Sequence, residues 1–334
     1  MTNYINNLNQ LPFLIFNLIQ KLNYQRKFIR KTLAIDIEKI KLKNDGSLND
    51  SDFQKIIGYY GTAVPAILGE SLCILRDKKM TNKERLAITY LGALSGLFDD
   101  LIDKKELSED SIKGLIDEPY LQSGKDSHEK LFLQFCQKVL ENSTDTDLIK
   151  TYYLRVLDAQ ILSKKQKSKD ISLSEIEEIT FLKGGASFQF YCSIFGEIVD
   201  KNEKLMIFKL GALMQLENDI FDVYKDHQDG IRTLATCEKK MKHLRQIYLE
   251  LLDEIISLAH KTGYRQKNIR SFLRIVTAVI CRGFVCLDML ERNEKSTNNT
   301  FSLSEYSRKE LICDMEKPGN FFKTINYYAN YNFN

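Results

Sequence analysis

Residues 97–106 read LFDDLIDKKE, an apolar helical run that ends on Asp99, Asp100 and Asp103 and then turns to charge. On a helix at about 100° per residue, Asp103 falls roughly 40° from Asp99, so their carboxylates share one face a turn apart, with Asp100 to the side. Ser95, Gly96 and Gly92 precede them on that face. Carboxylates backed by small residues predict a cavity wall that an extended molecule approaches. A second cluster follows at residues 215–226, QLENDIFDVYKD. With Asp222 as centre, Asp219 and Asp226 fall roughly 60° and 40° to one side, Asn218 and Lys225 roughly 40° and 60° to the other. Gln215 and Gly211 continue the stripe, while Leu213, Leu216, Ile220 and Phe221 make the segment otherwise apolar.

Working outward, the chain has 334 residues, 43% hydrophobic and 28% charged, with 16 Gly and 4 Pro. So few prolines, and no Gly/Ser/Pro-rich linker, predict one large helical domain. The net charge of +3 gives no reason to expect nucleic acid. Seven scattered cysteines without CxxC or CxxH pairing predict reduced core residues and no zinc site. Residues 11–19, LPFLIFNLI, are too short to span a bilayer and have no Lys or Arg before them, which argues against a signal peptide. The longest apolar run, residues 275–290, is broken by Arg282 and Asp288. The expectation is a cytoplasmic protein without stable membrane insertion, with homodimerisation left open.

Apolar residues at intervals of three and four predict a helix from Pro12 to about Ile40. Ser51 is read as the N-cap of a helix bent near Gly61 and Pro65. Thr81 with Glu84 three residues on predicts a capping box opening the helix through residue 103. Ser172 or Ser174 is expected to cap a helix interrupted at Gly184 and Gly185, and one unbroken helix is expected from about Glu203 to Asp226. No period-2 strand is found. The fold class predicted is all-α, with connections that suit antiparallel neighbours.

Carboxylate and amide oxygens without His or thiolate suit hard cations, so Mg²⁺ is the predicted metal, as several ions around a diphosphate, with Mn²⁺ as a substitute. Facing carboxylates without metal repel and raise one another's pKa. One DDxxD alone is weakly specific, because aspartate-rich helix ends are common and usually solvated. The pair is far more specific.

These residues resemble the class I isoprenoid synthase superfamily, which includes trans-prenyltransferases and class I terpene cyclases. DDLID matches its first aspartate-rich motif. Residues 218–226, NDIFDVYKD, look like its second, intermediate between the DDxxD and NSE types, with Asp222 in place of Ser or Thr and Asp226 in place of Glu; Gln215 fits the QxxDDxxD form. The resemblance runs over roughly residues 50–330 and is specific only at the motifs. It implies a single-domain antiparallel helical bundle over residues 1–334 with a central active-site cavity, residues 1–50 adding an N-terminal helix and loop. It also implies metal ligation by Asp99 and Asp103, with Asp100 in support, and by Asn218, Asp222 and Asp226, with Asp219 adjacent. Residues 181–191, FLKGGASFQFY, are similar to a segment carrying a diphosphate-contacting cation and a helix break, which implies roles for Lys183 and Gly184. Lys225, Arg232, Tyr306 and Arg308 are further candidate diphosphate contacts. Ser95, Gln215, Phe98 and Phe188 are candidate pocket residues, and Phe190, Tyr191, Phe221 and Phe284 offer further rings; for each ring, core packing is the competing reading.

The departures from the family pattern matter. No GGKR-like segment occurs, and Asp103 is followed by Lys104 and Lys105 rather than an arginine pair. One diphosphate site without the second favours cyclisation over elongation. The function expected is a Mg²⁺-dependent terpene synthase that ionises and cyclises a linear C15 to C25 prenyl diphosphate and releases diphosphate, the small residues before Asp99 suggesting the longer chains. A trans-prenyltransferase that uses Lys104 and Lys105 is the first alternative, and a non-catalytic helical partner subunit the second. A carboxylate-metal phosphohydrolase is the third, against which the four histidines form no HD-type pattern.

Overall fold

The computed structural model describes residues 2–103 and 107–333, without the side chains of Thr2 and Asp103. Among these residues every regular element is helical. Helix α1 spans Thr2–Arg30 and α2 spans Leu33–Lys41. The single helix expected over 12–40 is therefore two, parted where Thr32 leaves helical geometry and its hydroxyl donates back to the Phe28 carbonyl at 2.9 Å. The start at Thr2 rests on a tertiary contact: the Asn7 amide donates to the Ala329 and Tyr331 carbonyls at 3.1 and 2.8 Å.

Helix α3, Asp50–Gln54, is capped by Asn49 rather than Ser51, through a capping box with Asp52. The bend expected near Gly61 and Pro65 takes the form of two π-helical stretches, Lys55–Tyr60 and Val64–Gly69, on either side of the short α4, Gly61–Ala63. Helix α5 is Glu70–Leu75 and α6 is Asn82–Asp103. The capping box of α6 is as read: the Thr81 N–H donates to Glu84 at 2.8 Å and the Glu84 N–H to the Thr81 hydroxyl at 3.2 Å.

Helices α7 (Glu109–Asp117), α8 (Ser127–Asn142) and α9 (Thr146–Ser163) follow, then α10 (Leu173–Ser193), opened by Ser172 with Glu175. Helix α11, Lys201–Phe221, stops at Asp222, whose backbone (φ −90°, ψ 9°) leaves the helical region; α12, Val223–Gln228, resumes beyond it. The unbroken helix expected through Asp226 is thus two. The chain is completed by α13 (Leu234–Cys237), α14 (Met241–Lys261), α15 (Gln266–Ser296), α16 (Arg308–Leu311) and α17 (Pro318–Asn330). No helix among the described residues is long and apolar enough to cross a membrane.

Contacts divide the chain into two compact units, one of residues 13–161 and 190–198, the other of residues 1–12, 162–189 and 199–334. Three of the four divisions fall inside α1, α9 and α10, and the fourth, between residues 198 and 199, falls in the connection from α10 to α11. In the first unit α6 is the central element, with buried Ile88, Leu91, Leu94, Phe98 and Leu101, packed by α8 and by the π-helical segments. In the second, α11, α14 and α15 pack on one another through residues such as Leu213, Leu216, Tyr248, Leu252 and Phe284. Burial of this apolar surface, at about 25 cal/mol per Å², is what holds each unit together.

Candidate functional site

The first aspartate motif closes α6 in the first unit. Asp99 and Asp100 are half-buried. The Gln160 amide on α9 donates to an Asp99 oxygen, a partner to which no local pattern points. Ser95, one turn back, accepts from the Tyr191 hydroxyl at 2.9 Å and donates to the Leu91 carbonyl at 3.2 Å. Burial and the Asp99 charge push the Tyr153 and Tyr191 hydroxyls well above the usual phenol range. Both phenols therefore stay protonated and can donate. The side chain of Asp103, and Lys104 and Lys105, lie outside the described residues.

Two expectations for this region change. Phe98 is core: it is 2% exposed and its ring lies 5.0 Å from Tyr153 and 6.4 Å from Phe132, with Tyr153 stacked on Phe190 at 4.9 Å. The small face of α6 is not open either. A methyl group at Gly92 would meet the Tyr60 carbonyl at 2.7 Å, and one at Gly96 the Tyr60 ring at 3.2 Å. The glycines admit the π-helical segment against α6, so they carry no argument for room for a long substrate.

The second cluster lies in the other unit, at the junction of α11 and α12. Asp219 is buried and accepts from the Gln215 amide at 2.8 Å and from the Thr180 hydroxyl, on α10, at 3.2 Å. Burial, assisted by the Asp222 charge, still raises its carboxyl to about 6, against the pull of Gln215, Lys183 and Thr180. Asp226, 8% exposed, rises to about 7 through burial and then through the charges of Asp219 and Asp222, with Lys225 and Lys183 opposing. The three aspartates thus form one electrostatic group, and Lys183 acts on both buried members. Asp222 is half-buried and sits at the helix break, its N–H bonded to the Asn218 carbonyl at 2.8 Å; Asn218 and Lys225 are exposed.

Arg232 and Arg308 lie on segments that meet α12 or the turn after it. The Ile231 N–H returns to the Asp226 carbonyl at 2.8 Å, which brings Arg232 close behind. The backbone of Arg232 pairs with Gln166, while among the described residues its buried Nε has no hydrogen-bond partner. Arg308 stacks over Tyr224 of α12, 5.9 Å from its centroid. Tyr306 is drawn away: its hydroxyl pairs with Thr297 and its ring packs on Phe301 at 5.1 Å.

The glycines of α10 differ from expectation as well, since the helix is continuous through them. A methyl at Gly184 would stand 2.1 Å from the Gly211 carbonyl, and one at Gly185 would enter the Phe208 ring at 2.3 Å. They let α10 and α11 touch backbone to backbone, which is how Lys183 and Thr180 reach the carboxylates; no kink is needed. Phe188, on the next turn, is half-buried and packs beside Gly211. No protein-family model matches the chain, and no curated protein matches it.

Glu217 is a buried acid that sequence reading passed over. It faces the guanidinium of Arg282 on α15 at 3.2 Å, and burial lifts its carboxyl to about 7. Arg282 also lies over the Phe221 ring, 5.9 Å from its centroid. Its place between α11 and α15, behind the Asn218 position, makes it a support for the end of α11.

Among the described residues no group of three or more His, Cys, Asp or Glu is placed to hold a metal ion. That does not oppose Mg²⁺, which keeps several waters and is typically held by one or two carboxylates together with substrate phosphates. The donor set is all oxygen. The carboxyls of Asp219 and Asp226 are raised first by burial and then by neighbouring aspartate charge, and a divalent cation offsets both by favouring the ionised form.

Proposed function

We propose that this chain is a Mg²⁺-dependent class I terpene synthase that ionises a linear prenyl diphosphate, cyclises the hydrocarbon chain and releases diphosphate. One observation carries the reading: at the junction of α11 and α12, Asp219, Asp222 and Asp226 act on one another electrostatically, with Lys183 opposing on both buried members and Lys225 on Asp226. Such a place suits a polyanion bound through divalent cations.

In this reading Asn218, Asp222 and Asp226 are the metal ligands of the second cluster, and Asp99 and Asp103, with Asp100 in support, those of the first. Bound Mg²⁺ supplies Lewis-acid stabilisation of the departing diphosphate. Gln215 and Thr180 fix Asp219 as the carboxylate that sets the charge of its neighbours. Lys183, Lys225, Arg232 and Arg308 neutralise phosphate oxygens that gain charge as the C–O bond breaks. Gln160 orients Asp99. The protonated Tyr191, bonded to Ser95 and within reach of the Asp99 charge, supplies in this reading an aromatic ring that stabilises positive charge without attacking it. Chain length is left to experiment.

The test is release of inorganic diphosphate from farnesyl and geranylgeranyl diphosphate by wild type, D99A and D222A, with Mg²⁺ and with chelator. The reading expects release by wild type alone and only with Mg²⁺. Equal release by all three proteins would end it. Addition of isopentenyl diphosphate separates cyclisation from elongation: longer diphosphates in place of hydrocarbons would assign the chain to the trans-prenyltransferases.

A further inference from the structure

Helix α1 has two apolar faces from residue 13 onward, and only one of them is used. Gln25 and Ile29 are buried, and Leu14, Leu18 and Leu22 are half-buried on the same side. This inward side is anchored: the Gln25 amide donates to the Gly61 carbonyl at 3.0 Å and the Thr89 hydroxyl at 2.8 Å, and accepts from Arg85 at 3.0 Å. Roughly 100–160° around the helix from that side stand Phe13, Phe16 and Ile19. They are 74%, 58% and 50% exposed. A stretch apolar on both sides is expected of a buried or membrane-contacting helix.

The same outer side changes character toward the C-terminal end of α1. Arg26, Lys27 and Arg30 fall roughly 80–180° from the inward side and are exposed. None of them, nor Lys31 beyond, has an ion pair among the described residues. No Asp or Glu occurs before Asp36, in a chain whose totals of 48 basic and 45 acidic residues nearly balance. The outer face therefore joins an unpartnered apolar patch to unneutralised positive charge.

We propose that this face of α1 docks on an anionic lipid surface, with Phe13, Phe16 and Ile19 entering the headgroup boundary and Arg26, Lys27 and Arg30 on the phosphates. The combination of Phe and Ile with Arg and Lys on one accessible helix is what interfacial binding requires, and the helix lies in the surface without crossing it. Charge decides against a second copy of this chain as occupant, because the face offers no acid to meet its own basic run. The proposal is independent of the aspartate clusters.

The experiment is flotation of the full chain with vesicles of phosphatidylcholine alone and of phosphatidylcholine mixed with phosphatidylglycerol. Wild type is expected to float with the mixed vesicles, to remain in solution with neutral ones, and to be released by concentrated salt. R26Q/K27Q/R30Q should weaken binding roughly a hundredfold, and F13S/F16S/I19S should abolish it. Because all six residues point outward, both variants should keep the wild-type Tm; should either unfold, the lipid and salt dependence of wild type decides by itself. Failure of wild type to float with the mixed vesicles overturns the proposal, as does equal binding to both vesicle types. A dimer in sedimentation velocity that F13S/F16S/I19S dissolves would assign the face to a second copy instead.

Discussion

Asp222 concentrates the reading of the second cluster: it stands at the break between α11 and α12, half-buried, with its charge acting on Asp219 and Asp226. D222A is expected to lower product formation by roughly a hundredfold or more, in line with loss of one transition-state contact. Gln215 acts one step removed, through its bond to Asp219, so Q215L should cost roughly ten- to a hundredfold in Mg²⁺ affinity or turnover. The raised carboxyls also set a pH dependence. Both groups have folded values, about 6 and about 7, above the ordinary 3.8. Below that ordinary value they are protonated in both states and cost nothing; as pH rises the unfolded chain ionises first, so stability is lost progressively up to about 7. Urea unfolding of metal-free protein should show this loss. Mg²⁺ needs the ionised form, so its rise in Tm should be larger at pH 8 than at pH 6, in the sense that linkage requires.

At the scale of elements, the legible features were local ones. Thr81 with Glu84 and Ser172 with Glu175 announce helix starts because each box closes within four residues. The 3.6-residue period likewise gave the all-helical class. What escaped was set by contacts between elements distant in sequence. Gly184 and Gly185 read locally as a kink, but α11 lies against them and they are needed for close approach. Gly92 and Gly96 read as an open wall, but Tyr60 fills it. Gln160 and Thr180 lie on other helices than the aspartates they touch, and no local pattern points to them. The close-packing account predicts that G184A loses stability by about 1–3 kcal/mol or more, as overpacking does. G114A, in α7 with nothing within 4 Å of the added methyl, should instead gain about 0.5–1 kcal/mol. Denaturant midpoints of the two variants check this, and equal effects would contradict it.

For the whole molecule, the two aspartate motifs fall in different compact units, and the chain passes between units within α1, α9 and α10 and in the connection from α10 to α11. The motifs themselves were readable because each is a short pattern on an apolar helix. Lys183 acts on Asp219 and Asp226, Arg308 lies over Tyr224, and Tyr306 turns to Thr297. The central claim is catalysis on a prenyl diphosphate, and gas chromatography tests it most directly. Incubation with geranyl, farnesyl, geranylgeranyl and geranylfarnesyl diphosphates and Mg²⁺ should yield cyclic hydrocarbon or alcohol from at least one of them, lost in D99A and D222A; no turnover of any of the four would contradict the account.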